Sequence, residues 1–164
     1  MKIYRVALFG HRDLDAHELV ERRLYPIVKE LIQTKPYVEF FIGRDGEFDT
    51  FVASVIKRAQ RAFGKENNEL ILVLPYPKKD QEFYEQYYDA VMIPDCLANT
   101  HPKQAISKRN RWMIEQCNLL ICFTEHESGG AYTALKYAQK LGKAAVNLAA
   151  EQSIFPHYME NFHK

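Results

Sequence analysis

The stretch 117–148, "CNLLICFTEHESGGAYTALKYAQKLGKAAVNL", joins two apolar runs through a polar turn and an amphipathic segment. The first run ends at Ser128-Gly129-Gly130, and a helical pattern then leads to the second run. This order predicts a strand, a crossover helix and a second, parallel strand. The two glycines either form a tight packing turn or allow a ligand to approach the backbone closely.

Continuous apolar runs recur along the chain and predict a sheet that is covered on both faces. Strands are expected at 3–9, 38–42, 70–74 and 119–123, with a weaker fifth at 143–148. Helical patterns separate these runs. The sequence therefore predicts an α/β, three-layer Rossmann-like fold with a mostly parallel sheet of about five strands, built as a single domain over residues 1–164.

The helix boundaries carry their own signals. Asp15 and Glu18 form a potential capping box for the first helix, and Pro26 is expected to kink or split that helix. The second helix has an apolar stripe that starts at Phe48. Two further helices are expected at about 106–117 and 130–141, with Gly142 as the C-cap of the last one.

The segment 76–102 is irregular, with three prolines after its first residue and an aromatic cluster around Tyr84, Tyr87 and Tyr88. Its length is typical of a lid or a binding loop rather than of a sheet element. The tyrosines then stack on a bound base. Alternatively, Tyr84 and Tyr88 lie one helical turn apart and only pack on the core or on a second subunit.

Composition limits the class of protein. The chain has 164 residues, a net charge of +1, 47% hydrophobic residues and 26% charged residues, as in ordinary globular proteins. No run is long enough to span a membrane, no signal peptide is evident, and the odd cysteine count favours a reducing cytoplasm. The near-neutral charge makes nucleic acid an unexpected partner, and the six histidines follow no zinc pattern.

Three polar turns follow the predicted strands at their carboxyl ends, where open parallel sheets bind ligands. They occupy 10–13, 43–49 and 124–130, and they hold five of the seven glycines in the chain. Turn formation alone does not explain this bias, because loops at the opposite edge of the sheet need turns too. Together the turns favour a binding site.

Backbone N–H groups at Gly129 and Gly130 lie at the positive end of a helix dipole, which is a favourable position for a phosphate. Ser128 or Thr133 can add a hydroxyl donor there. Asp49, in the first turn of the second helix, either caps that helix or holds a ribose hydroxyl.

The predicted third helix places Asn110 on an otherwise apolar stripe, so its amide either bonds within the core or contacts a ligand. Arg109 beside it is expected to be a solvated cation, or else to meet a phosphate at the sheet edge.

These residues together resemble the SLOG superfamily, the Rossmann-like domains named for the DprA and LOG (Lonely Guy) proteins, and in particular its bacterial YpsA-like branch. The resemblance rests on "FGHRD" at 9–13, "FIGRDGEFDTFV" at 41–52, "LILVLPY" at 70–76 and the stretch 108–148. The Arg-Asn pair at 109–110 and the Gly-Gly pair before the last helix are its most specific parts.

The resemblance implies a nucleotide or a nucleotide derivative as ligand, no certain cofactor, no metal site and a homodimer as the assembly. The implied binding residues are Gly10, His11, Arg12, Gly43, Arg44, Gly46, Asp49, Arg109, Asn110, Ser128, Gly129, Gly130 and Thr133.

One departure from the family limits the expected chemistry. LOG phosphoribohydrolases have a catalytic glutamate where this chain has Leu135, and the nucleophile of the related deoxyribosyltransferases aligns with Ala134. A glycosidic enzyme would have to use Asp49, Glu125 or Glu127 instead. The sequence thus favours a nucleotide-binding protein such as a sensor, with an N-glycosidase using a displaced carboxylate and a DprA-like module for single-stranded DNA as alternatives.

Overall fold

The computed structural model describes residues 2–150, and this range folds around one parallel six-stranded sheet. The strands are β1 (Ile3–Gly10), β2 (Tyr37–Ile42), β3 (Asn68–Val73), β4 (Ala90–Met92), β5 (Leu119–Phe123) and β6 (Ala144–Asn147). The helices are α1 (His17–Thr34), α2 (Glu47–Phe63), α3 (Gln81–Tyr87), α4 (Pro102–Gln116) and α5 (Gly130–Lys140), and a 3₁₀ turn spans Asp95–Leu97. The α/β Rossmann-like prediction is confirmed.

The strand order is β4-β3-β2-β1-β5-β6. In the centre of the sheet, Val6 of β1 pairs with Phe40 of β2 on one side and with Leu119 of β5 on the other. From β1 the chain extends the sheet in one direction through β2, β3 and β4, and it then returns to add β5 and β6 on the opposite side. The order therefore reverses between β1 and β5, and such a switch point opens a crevice above the strand ends.

Helices cover both faces of the sheet, because successive side chains of a strand point to opposite faces. Val6 and Leu8 contribute to an apolar cluster with α1 and α2, whereas Ala7 and Phe9 join a second cluster with α4 and α5. Burial of alternate residues on both faces explains the continuous apolar runs in the sequence.

Several boundaries differ from the sequence predictions. The five expected strands are present, but Ala90–Met92 adds a sixth at the edge, inside the segment expected to lie outside the sheet. The capping box at Asp15 does not form, since α1 is preceded by Ala16 without a side-chain cap. Pro26 lies inside α1 without splitting it.

The helix α4 begins four residues earlier than expected. Pro102 occupies its first turn, where a missing N–H costs nothing, and His101 accepts a hydrogen bond from the Lys103 N–H at 3.2 Å. The last helix ends as predicted, with Gly142 at a φ of 71° just beyond it. No helix among residues 2–150 is both long and apolar enough to cross a membrane. The single-domain prediction for 1–164 extends beyond the described residues.

Candidate functional site

A cleft of about 390 Å³ opens at the switch point between β1 and β5. Its walls come from the ends of β1 and β2, from α4 and from the first turn of α5. The lining residues are Leu8, Phe9, Gly10, His11, Arg12, Gly43, Asp45, Asp49, Ile106, Arg109, Asn110, Met113, Gly129, Gly130 and Ala131. Most of the residues predicted for the site thus meet in one cavity.

Hydrogen bonds join the loop after β1 to the loop after β2 and the start of α2. The Glu47 N–H donates to the Arg12 carbonyl at 2.7 Å, and the Glu47 carboxylate accepts from the Leu14 N–H at 3.3 Å. A Cβ at Gly46 would lie 2.4 Å from the Arg12 Cα, so this close approach requires glycine. The Arg12 guanidinium has no hydrogen-bond or ion-pair partner among residues 2–150 and is exposed at the cleft.

Two glycines of this wall are explained by packing alone. A Cβ at Gly10 would lie 2.1 Å from the ring of Phe48, which is completely buried. A Cβ at Gly43 would lie 3.1 Å from a guanidinium nitrogen of Arg109 and 3.3 Å from a carboxylate oxygen of Asp49. These positions are small because protein atoms already fill the space beside them.

Arg109 is buried in the cleft wall, with 2% of its surface exposed. Its Nη1 donates to the Val73 carbonyl at 2.8 Å, its Nε donates to Asn110 Oδ1 at 2.9 Å, and its Nη2 forms an ion pair with Asp45. The expectation of a solvated cation was therefore wrong. Burial of the charge is compensated by three acceptors from β3, α4 and the loop after β2.

This arrangement also orients Asn110. Because Oδ1 accepts from Arg109, the amide NH₂ group points away from that bond and has no hydrogen-bond partner within residues 2–150. Asn110 is half-buried and lines the cleft. Of the two predicted roles, the oxygen serves an internal hydrogen bond, while the NH₂ group remains available as a donor.

Two carboxylates lie in the same wall. Asp45 is held by Arg109, and its N–H donates to Asp49 Oδ2 at 3.0 Å. Desolvation raises the pKa of the Asp49 carboxyl to about 6, while the hydrogen bond from the Asp45 backbone and the charge of Arg109 oppose the rise. Asp45 was not singled out from the sequence, although it lies in the polar turn 43–49.

The opposite wall is the start of α5, and its glycines are not crowded by neighbouring atoms as Gly10 and Gly46 are. Gly129 has a φ of 91°, which favours glycine, and its carbonyl accepts hydrogen bonds from the Thr133 N–H and hydroxyl, each at 3.0 Å. A Cβ at Gly129 or at Gly130 would meet no atom within 4 Å. Both glycines are exposed, and they lie at the positive end of the helix dipole, where the first N–H groups of a helix have no partner within the helix.

The loop after β5 is fixed by its neighbours. The Glu125 N–H donates to His11 Nε2 at 3.3 Å, which joins this loop to the end of β1. Asn147 of β6 bonds both backbone groups of Thr124, accepting from its N–H and donating to its carbonyl. His11 thus acts as a link between two walls of the cleft.

Six of the candidate residues do not line the cleft, and one of them is Gly46, which lies against the backbone of Arg12. Glu125, Glu127 and Ser128 are exposed on the loop before α5, Arg44 stacks its guanidinium 4.3 Å from the Tyr84 ring, and Thr133 lies in a neighbouring groove. Of the three carboxylates considered for catalysis, Asp49 is the one that lines the cavity.

Two of the three clustered tyrosines in the segment 76–102 take the packing role, whereas Tyr87 is exposed. Tyr84 and Tyr88 are buried in the cluster formed with α1 and α2, and the Tyr84 hydroxyl donates to Asp80 at 2.9 Å. Together with strand β4, these contacts argue against this part of the segment acting as a detached cover.

Ala134 and Leu135, the positions that the sequence resemblance compares with catalytic glutamates, pack against apolar side chains. Ala134 is 3% exposed, and Leu135 packs beside it against the α4–α5 cluster. Among residues 2–150, no group of three or more His, Cys, Asp or Glu side chains is placed to hold a metal ion.

No protein-family model matches the sequence, and no curated protein matches it either. Solved structures do match the fold. DNA processing protein A (DprA) from Streptococcus pneumoniae superposes with a TM-score of 0.65 at 16% identity, over 98% of this chain and 55% of that chain. The chain has the fold of the part of DprA that it covers.

Two further structures superpose on this chain. The molybdenum cofactor carrier protein from Chlamydomonas reinhardtii gives a TM-score of 0.57 at 14% identity, over 98% of this chain and 85% of that chain. The protein TM1055 gives a TM-score of 0.51 at 14% identity, over 87% of this chain and 72% of that chain. All three share the α/β fold of this chain. The chain spans about half the length of the DprA chain, and the similarity concerns the fold.

Proposed function

We propose that this protein binds a nucleotide or nucleotide-derived ligand, with a phosphate at the start of α5 and the remainder in the cleft, and that it acts as a binding protein or sensor. The observation that carries the proposal is the open space at Gly130. Neither its φ nor any neighbouring atom requires glycine there, so in this proposal the space is left for the ligand. An anion is the ligand that such groups favour.

Two side chains supply further donors around the same position. Among residues 2–150, the guanidinium of Arg12 has no partner, and the Asn110 NH₂ group is left free by the bond between Asn110 and Arg109. Arg109 itself is occupied by three acceptors, so in this proposal Arg12 supplies the counter-charge for the phosphate and Arg109 shapes the wall.

The acidic side of the cleft suits the sugar of the ligand. Asp49 lies in the first turn of α2, just beyond the loop after β2, near the strand end where acidic residues of nucleotide-binding sheets accept ribose hydroxyls. Its carboxyl is desolvated and already accepts one backbone hydrogen bond. A hydroxyl donor from the ligand would compensate for that desolvation.

The structural neighbours are compatible with binding without turnover. One of them is a molybdenum cofactor carrier protein. DprA is a DNA processing protein, but the net charge of +1 gives no general attraction for a nucleic acid backbone, so a small ligand is favoured here.

The proposal is tested with Gly130→Val. The parent protein is screened against AMP, GMP, CMP, UMP and inorganic phosphate by thermal shift, and the best ligand is titrated by calorimetry. The valine side chain should weaken binding roughly 10- to 100-fold, the effect of losing one or two hydrogen bonds to a charged group, while the fold is retained.

The matched control is Gln139→Val, which places the same side chain on an exposed position in the last turn of α5. It should bind as the parent does. If Gly130→Val binds with parental affinity, or if the parent binds none of these ligands, the proposed function is wrong.

Arg12→Gln gives an independent measurement at the same site. Removing this cation should reduce the affinity for a phosphate-bearing ligand about tenfold and weaken the salt dependence of binding. Arg22→Gln is the control, because Arg22 is exposed on α1 away from the cleft and has no hydrogen-bond or ion-pair partner among residues 2–150. Equal effects of the two substitutions would indicate a non-specific attraction of anions.

A second candidate function is N-glycosidic cleavage with Asp49 as the displaced carboxylate, favoured by its position in the cleft and its raised pKa. We expect no efficient release of free base from nucleoside monophosphates, because Ala134 and Leu135 occupy the catalytic positions of the related enzymes. Release at about 1 per second or faster, abolished by Asp49→Asn, would establish the enzyme instead.

A further inference from the structure

A second groove of about 380 Å³ runs between α4 and α5, next to the cleft. Ile106, Asn110 and Gly130 line both cavities and form the boundary between them. The other residues of the groove are Lys103, Ser107, Arg111, Ile114, Thr133, Ala134 and Tyr137. A ligand atom placed at Gly130 therefore has space on two sides.

The groove differs from the cleft in its charge. The cleft is lined by both carboxylates and cations, whereas the residues that line the groove include Lys103 and Arg111 and no carboxylate. Its floor is apolar, since Ile114 is 1% exposed and Ala134 is 3% exposed. An apolar floor below a cationic rim suits a flat, uncharged ring attached to an anionic group.

One wall of the groove is held in position by internal contacts. The Tyr137 hydroxyl donates to the Glu115 carboxylate at 2.6 Å, and the Arg111 guanidinium carbon lies 6.0 Å from the centre of the Tyr137 ring. The ring is therefore oriented before any ligand arrives, which lowers the entropy cost of stacking on it.

We propose that the groove is a second half-site, and that the ligand is of the dinucleotide class: a pyrophosphate at Gly130 carries one nucleoside in the cleft and a second nucleoside or similar ring in the groove. This inference rests on the proposed function, from which the position of the phosphate is taken. Its support is the continuity of the two cavities at Asn110 and Gly130 and the carboxylate-free, cationic lining of the groove.

The size of the two cavities agrees with such a ligand. Each has a volume near the lower limit of about 300 Å³ for small-molecule sites, and together they lie well within the usual range. A mononucleotide bound at Gly130 would fill the cleft and leave the groove to water. A second ring would displace that water from the apolar floor and gain burial.

The experiment uses the base whose nucleoside monophosphate binds best. It compares two ligands that contain this base, the nucleoside diphosphate and the symmetric dinucleoside pyrophosphate. In the parent protein the dinucleoside pyrophosphate should bind at least about tenfold more tightly, the gain from burying one further ring. Ser107 lines the groove, is exposed and makes no side-chain hydrogen bond among residues 2–150. Ser107→Trp should fill the groove, so that the dinucleoside pyrophosphate binds no more tightly than the diphosphate, while the affinity for the diphosphate stays unchanged.

Lys103→Glu tests the charge of the rim without adding bulk. It should also lower the ratio of the affinity for the dinucleoside pyrophosphate to that for the diphosphate. Lys108→Glu makes the same change at an exposed position of α4 that does not line the groove, and it should preserve the ratio. Equal affinities of the parent for both ligands, or a ratio unaffected by Ser107→Trp and Lys103→Glu, would overturn the half-site.

These outcomes are separable from a failure of the proposed function. If the diphosphate binds the parent and fails to bind Gly130→Val, the phosphate site stands whatever the ratio. If sedimentation shows that Ser107→Trp converts a dimer into a monomer with the ratio intact, the groove is a subunit contact and the half-site is overturned. If neither ligand binds the parent, both proposals are wrong.

Discussion

The two walls of the cleft use the same residue type for opposite purposes. On the β1–β2 side, glycine is required because protein atoms occupy the adjacent space, as at Gly10 beside Phe48 and Gly46 beside Arg12. On the α5 side, the space beside Gly130 is empty. A glycine-rich edge therefore does not identify a ligand site by itself, and the neighbours of each Cβ position distinguish the two roles.

The charged groups show the same contrast. Arg109 is buried and bonded on all sides, whereas Arg12 is exposed and unpartnered within residues 2–150. Arg109 is placed for stability, whereas Arg12 and the start of α5 are left free for a ligand. Substitutions at the two kinds of position should consequently act on different measurements, stability at the first and binding at the second.

The largest effect is expected at Arg109. Arg109→Met keeps most of the side-chain volume but leaves the Val73 carbonyl, the Asn110 amide oxygen and Asp45 without their donor. The free energy of unfolding in urea should fall by about 3 kcal/mol, as for other broken buried pairs. Lys108→Met on the exposed side of α4 should change it by less than about 0.5 kcal/mol. Similar values for both would show that Arg109 does not hold the wall together.

Alanine at the two kinds of glycine should give effects of opposite sign. Gly10→Ala forces a methyl group into the Phe48 ring and should destabilise the fold by about 2 kcal/mol. Gly130→Ala meets no atom and restricts the unfolded chain, so it should stabilise the fold by roughly 0.5 kcal/mol. Urea denaturation of both variants is the measurement, and two destabilising values of equal size would remove the distinction between the walls.

A smaller, pH-dependent effect is expected from Asp49. The pKa of its carboxyl is raised to about 6, above the value of about 3.9 in an unfolded chain, so the folded state binds the proton more tightly. The contribution of Asp49 to stability should therefore fall as the pH rises from 4 to 6 and stay constant above. Asp49→Asn, compared with the parent across this range, should gain relative stability on the order of 1–2 kcal/mol. A difference that does not vary with pH would contradict the shift.

Much of the fold followed from the sequence, because buried parallel strands produce continuous apolar runs that are easy to recognise. Strand β4 was missed for a physical reason. It has three half-buried residues, Ala90–Met92, at the sheet edge, and it is defined by its backbone pairing with β3. Such a short strand has no periodicity of its own to detect.

The site was predicted in outline, and its errors arose where a side chain depends on distant partners. Periodicity placed Asn110 on the inward stripe of α4, but the burial of Arg109 requires the Val73 carbonyl and Asp45, which lie 36 and 64 residues away. Local sequence carries no signal for such a compensated charge. The helix start at Gly129-Gly130 was predictable, because that signal is confined to neighbouring residues.

The position of β1 in the middle of the sheet has a consequence for folding during synthesis. Strand β2 can pair with β1 as it emerges, and β3 and β4 can then extend the sheet from β2. The other edge of β1 pairs only after β5 is made, and the contact between Arg5 and Asn118 spans 113 residues. Parallel pairing at such a separation is slow to form. Until β5 arrives, the growing chain exposes an unpaired apolar strand at Val6–Phe9, the kind of edge on which partly made proteins aggregate and which molecular chaperones protect.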